Sequence, residues 1–81
     1  MRKLKMARVY WQDAASYKKP EDIDWLKENA TTVKFCSVGH VIKMGRKTLI
    51  LAFEINDENH ARDTEVIPRS DIERIEYLEV R

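Results

Sequence analysis

Lys47-Thr48-Leu49-Ile50-Leu51-Ala52-Phe53-Glu54-Ile55 sets Leu49, Leu51, Phe53 and Ile55 at every second position, the period that puts side chains on one face of a β-strand. Upstream, Val33 to Ile42 is rich in β-branched and aromatic residues, which favour a pleated, half-buried surface. Downstream, Glu65-Val66-Ile67-Pro68 and Arg74 to Val80 read as two further strands. Met6 to Trp11 reads as a first strand behind a basic terminus of Arg2, Lys3 and Lys5. On this reading Phe53 belongs to the buried face, where Phe53→Ala would cost about 3–5 kcal/mol.

The intervening residues supply the breaks. Gly39 could end a strand in a tight turn, but Val38, His40 and Val41 are poor turn residues, so it reads as a kink in one strand running on to Met44. Gly45-Arg46 reads as the centre of a type II′ hairpin, with glycine at the first central position. Asp13 to Lys19 and Asn56 to Asp63 have loop composition, and Asn59 tolerates a left-handed backbone. Pro20 suits a first helical position, and Glu21, Asp22 and Asp24 follow it, where carboxylates favour the positive end of the helix dipole. Ile23, Leu26 and Ala30 share one helical face, so residues 20–30 are expected to form a short amphipathic helix. Pro68-Arg69-Ser70-Asp71 forces a last break, after which Ile72 and Ile75 turn inwards. Five strands and one helix in 81 residues predict a single mainly-β domain over residues 1–81. The expected form is a small, five-stranded, strongly bent barrel with the helix capping an open end.

Val9-Tyr10-Trp11-Gln12-Asp13-Ala14, Ser37-Val38-Gly39 and Ile67-Pro68-Arg69-Ser70-Asp71-Ile72 together resemble a diffuse group of small uncharacterised proteins of tailed bacteriophages and prophages, with a W-x-D … S-V-G … I-P-x-x-x-I layout. The likeness spans most of the chain, and no motif in it carries a specific chemistry. From Val33 onward the strand layout is also similar to Sm-like small barrels. The resemblance implies assembly into oligomers. It does not imply RNA binding, because the uridine-pocket motifs of Sm-like proteins are not evident here. The hairpin Lys43-Met44-Gly45-Arg46-Lys47 is basic where the phage proteins are more often acidic.

Composition narrows the function classes. A net charge of +1 gives no whole-chain attraction to nucleic acid or to an anionic membrane. The apolar run Leu49 to Phe53 is too short for a membrane span or a secretion signal. Cys36 is the single cysteine, so no internal disulfide forms; it reads as a buried thiol in an apolar strand, and a reducing, cytoplasmic setting follows. Two glycines leave no phosphate-binding loop or dinucleotide fingerprint, and no nucleophile stands beside a base. Cys36, His40 and His60 lack the three or four convergent ligands of a metal site. Neither a cofactor nor catalysis is expected. Trp11 and Trp25 read as core packing in preference to a base-stacking platform.

Charge patterning is the remaining signal. Residues 33–47 carry Lys34, Lys43, Arg46 and Lys47 with no acid, whereas residues 54–65 carry Glu54, Asp57, Glu58, Asp63 and Glu65 against Arg62. Such runs are most often a solvated surface, and they also suit copies joined head to tail or a basic edge facing an anion. The expected function is a non-catalytic binding module of phage or prophage type, acting in the host-cell cytoplasm. It would self-associate or dock on a host or virion protein. The alternative is an anion binder for RNA, single-stranded DNA or a nucleotide signal. Lys43, Arg46 and Lys47 are the candidate contacts, with Lys34 and His40 of the same strand beside them.

Overall fold

The computed structural model describes residues 3–79. Arg2 of the basic terminus and Val80 of the last expected strand lie outside the described residues. The chain runs β1 (Met6–Asp13), α1 (Ile23–Asn29), β2 (Val33–Met44), β3 (Thr48–Ile55), β4 (Ala61–Pro68), a 3₁₀ turn (Arg69–Asp71) and β5 (Ile72–Leu78). All neighbouring strands are antiparallel, in the order β4-β3-β2-β1-β5. The fold is therefore mainly β with one short helix. The sheet is open, because β4 and β5 are its outer strands and do not pair with each other.

β2 belongs to two halves at once. Its residues Val33 to His40 pair with β1, and from His40 onward it pairs with β3. Gly39 lies buried inside this continuous strand, as the run of poor turn residues around it implies. A Cβ on Gly39 would stand 2.9 Å from the Ala52 carbonyl oxygen and 3.3 Å from its carbon, so the two backbones approach as only glycine permits. Just beyond, a register shift between Val41 and Lys43 places Ile42 in a bulge.

The inner faces of the two halves meet in one small core. Ala7 and Val9 of β1, Leu49 and Leu51 of β3 and Ile67 of β4 are buried together, with Trp11, Val41, Ile72 and Ile75 packed against them. Trp11 stacks on Phe35 at 5.2 Å between ring centres, and its indole Nε1–H donates to Ser37 Oγ at 3.0 Å. This satisfies the one polar atom that the ring carries inwards.

Several local expectations are corrected. Phe53 shares a face with Leu49 and Leu51 but is 68% exposed. β2 stops pairing with β3 at Ala52, so beyond that point β3 and β4 form a two-stranded ribbon with nothing over it. Cys36 is exposed rather than buried, because β2 has β1 on one side only at that point and its other edge is open. β1 continues to Asp13, and β5 begins at Ile72. β4 starts at Ala61, so the polar loop shrinks to residues 56–60, closed by Asn56 Oδ1 accepting from the Glu58 and His60 amides at 3.0 and 2.9 Å. Asn59 is left-handed there with φ 64°, and Asp63 is too, with φ 56°, opposite the unpaired Phe53.

The helix is shorter than expected. Asp22 is its N-cap, with Oδ2 accepting from the Trp25 amide at 3.0 Å, so Pro20 precedes the helix instead of opening it. Ile23 and Leu26 do not seat on the sheet, and no residue of α1 is buried. Trp25 packs edge-on against Tyr17 at 6.4 Å and remains 44% exposed, so its expected place in the core is also corrected.

These burial differences order the expected stabilities. Leu51→Ala or Ile67→Ala should lower the unfolding free energy by about 2–5 kcal/mol, since each empties part of this core. Phe53→Ala should stay within about 0.5 kcal/mol of the parent chain, as surface substitutions do. Chemical denaturation of the three variants measures both.

Candidate functional site

The basic hairpin forms at the end of β2, where Lys43 pairs with Ile50 and Met44 with Leu49. The Gly45 amide donates to the Thr48 carbonyl at 2.8 Å, so the turn is centred on Arg46-Lys47 and not on Gly45-Arg46. Gly45 does not adopt a positive φ, which rules out the type II′ turn. A Cβ on Gly45 would lie 3.1 Å from the Thr48 carbonyl oxygen, a tight contact that glycine avoids.

A fourth cation joins the tip from a distant part of the chain. Thr48 pairs with Pro68, which brings the 3₁₀ turn beside the hairpin. The Arg69 amide then donates to the Lys47 carbonyl at 2.8 Å, and its guanidinium Nη1 donates to the Gly45 carbonyl at 3.1 Å. Arg69 thus fixes the turn and adds its charge to those of Lys43, Arg46 and Lys47. Among the described residues no acid pairs with any of these four. Local composition could not reveal Arg69; only the strand register brings it there.

The two remaining candidates lie elsewhere. Lys34 stands across from Gln12 at the other end of β2, 3.9 Å from the Glu73 carboxylate. His40 is half-buried where β2 changes partners, between Met6 and Ala52. The structure gathers Lys43, Arg46 and Lys47 at one tip and leaves Lys34 and His40 outside it.

Other polar groups are paired within the sheet. On its outer face the Glu76 carboxylate lies 3.7 Å from both Arg8 and Arg74, and the Arg74 guanidinium stacks 4.2 Å from the centre of the Tyr10 ring. In the β3–β4 ribbon Arg62 donates to the Glu54 carboxylate, which pushes the guanidinium pKa up. The depression beside this ribbon, of about 230 Å³, is lined by Leu4, Ile42, Ile55, Asn56, Asn59, His60 and Ala61. It falls below the usual volume of a small-molecule site. Among the described residues no three His, Cys, Asp or Glu side chains converge on one point. Within the same residues no helix is long and apolar enough to cross a membrane.

No protein-family model, curated protein or solved structure matches this chain.

The two kinds of cation at the tip should respond differently to removal. Arg69→Ala frees the Gly45 carbonyl and should cost about 1 kcal/mol, the usual worth of a side-chain hydrogen bond. Replacing Arg46 and Lys47 together by Gln should leave the melting temperature unchanged, because exposed tip residues contribute little to the fold. Thermal denaturation of both variants separates the fastener from the free charges.

Proposed function

We propose that this chain is a non-catalytic interaction module of phage or prophage type that works by self-association or by docking on a partner protein in the host-cell cytoplasm. The observation that supports it is an excess of surface. The chain exposes 6883 Å² for a mass of 9.6 kDa. A compact monomer of this mass exposes about 5,100 Å². The difference, about 1,800 Å², is about twice the roughly 800 Å² that one partner contributes to a standard protein–protein interface. The shape agrees, with a radius of gyration of 16.4 Å where about 12 Å is usual for a compact domain of this length. β4 and β5 add two unpaired strand edges, which are ready templates for another chain.

The same strand order supports the finer fold reading. A strongly bent, Sm-like barrel left open between β4 and β5 would have β2 curving through the middle, and the 3₁₀ turn would bridge the outer strands at one corner. A second reading, anion binding, is favoured by the hairpin tip. There Lys43, Arg46, Lys47 and Arg69 stand without acidic partners, as a site for RNA, single-stranded DNA or a nucleotide requires.

Sedimentation of the full chain at low salt should give a mass well above 9.6 kDa that falls as salt screens exposed charge. A monomer at every ionic strength up to high micromolar concentration overturns self-association. Fluorescence titration with RNA, single-stranded DNA and cyclic nucleotides at low salt tests the second reading. Any affinity should fall steeply with salt and vanish in the Arg46→Gln, Lys47→Gln variant. Absence of binding to all three by the parent chain leaves a protein partner as the ligand.

A further inference from the structure

A helix of seven residues does not hold itself together in water; it needs tertiary burial of one face. Within its own chain α1 has little of it: no residue of the helix is buried, and it makes no substantial contact with any strand. Leu26 is half-buried, whereas Ile23 is 70% and Trp25 44% exposed; these two lie about 200° apart around the helix, and Trp25 shares its side with Asp24 and Glu28.

The charges around the helix indicate what covers it. Residues 20–30 carry Glu21, Asp22, Asp24 and Glu28 against Lys27, a net −3. None of these is in an ion pair among the described residues. Residues 42–47 carry Lys43, Arg46 and Lys47 without an acid, a net +3, and these too are unpaired. The same segment exposes two apolar side chains, Ile42 at 40% in its bulge and Met44 at 36%. An acidic surface and a basic one, each carrying exposed apolar side chains, are therefore both uncovered on one molecule. The β3–β4 ribbon is a poorer acidic partner: its own hydrogen bonds hold it, and Arg62 already neutralises Glu54.

We propose that α1 of one copy docks on the Ile42–Lys47 segment of a second copy. Trp25 would cover Ile42 and Met44, while Asp24 and Glu28, on the same side of the helix, face the hairpin cations. This rests on the self-association reading and names the surface through which it occurs. It also accounts for a helix that is otherwise unsupported, and for a basic tip whose charges have no partner at home.

A charge exchange tests it. One variant carries Lys43→Glu and Lys47→Glu, and the other carries Asp24→Lys and Glu28→Lys; the Asp22 cap is kept, and circular dichroism checks that both fold. Self-association is read by sedimentation at low salt. Each variant alone should associate more than about tenfold more weakly than the parent chain, because like charges then face each other. An equimolar mixture of the two should recover association to within about threefold of the parent, since opposite charges again meet. If a reversed chain loses its fold, Ile42→Ser reads the same contact, with the same tenfold criterion. If the parent associates and neither reversal weakens it, the helix–hairpin contact is wrong and self-association stands on another surface. If the parent is monomeric at every concentration, both readings fall.

Discussion

Everything in this fold depends on the close approach of β2 and β3 at Gly39. The Ala52 carbonyl approaches so closely there that a Cβ on Gly39 would lie 2.9 Å from its oxygen. That approach lets one strand pair with β1 along its first part and with β3 along its last. Without it Val9 and Leu51 would sit on separate sheets. With it they share one core cluster, together with Ala7, Leu49 and Ile67. The bulge at Ile42 follows from the same constraint, since a strand that changes partners must absorb a change of register.

A close approach of this kind makes a core but not a large one. The buried hydrophobic residues are Ala7, Val9, Leu49, Leu51, Ala52 and Ile67, two of them alanines. A core of that size supports only a few kcal/mol. The strands also outrun their neighbours. β1 and β2 extend as a pair past the start of β5, and β3 and β4 extend as a pair past Ala52. Apolar side chains stay exposed there, Phe53 on the β3–β4 ribbon and Phe35 where β2 has no neighbour on its other edge. The surface excess is thus a consequence of strand lengths that do not match within one copy, and a second chain is the natural means of covering it.

Charge plays two separate roles. Pairs such as Arg8 with Glu76 and Lys34 with Glu73 are exposed and at 3.7–3.9 Å, so they contribute little to stability. Arg69 differs, because its contacts with the Gly45 and Lys47 carbonyls join the 3₁₀ turn to the hairpin and hold the tip in shape. Among the described residues the cations of Lys43, Arg46 and Lys47 and the carboxylates of Asp24 and Glu28 form no ion pair. Their electrostatic energy is available for a partner.

The sequence by itself determined the strands, because alternation at Leu49 and Leu51 and the β-branched run after Val33 are local signals that burial of one face enforces. It also determined Gly39 as part of a continuous strand, since no turn residue stands beside it. The hairpin cations were legible for the same reason: they are adjacent in the chain. The tertiary structure alone decided which alternating residues have something above them, and Phe53 and Cys36 do not. Alternation reports which face a side chain takes, whereas burial depends on how far the neighbouring strands extend. Only the pairing of Thr48 with Pro68 could bring Arg69 to a turn 24 residues away. The helix was legible as residues 20–30, wider than Ile23–Asn29, but how little of it packs was not, because an apolar helical face looks the same whether its cover lies in the same chain or in another.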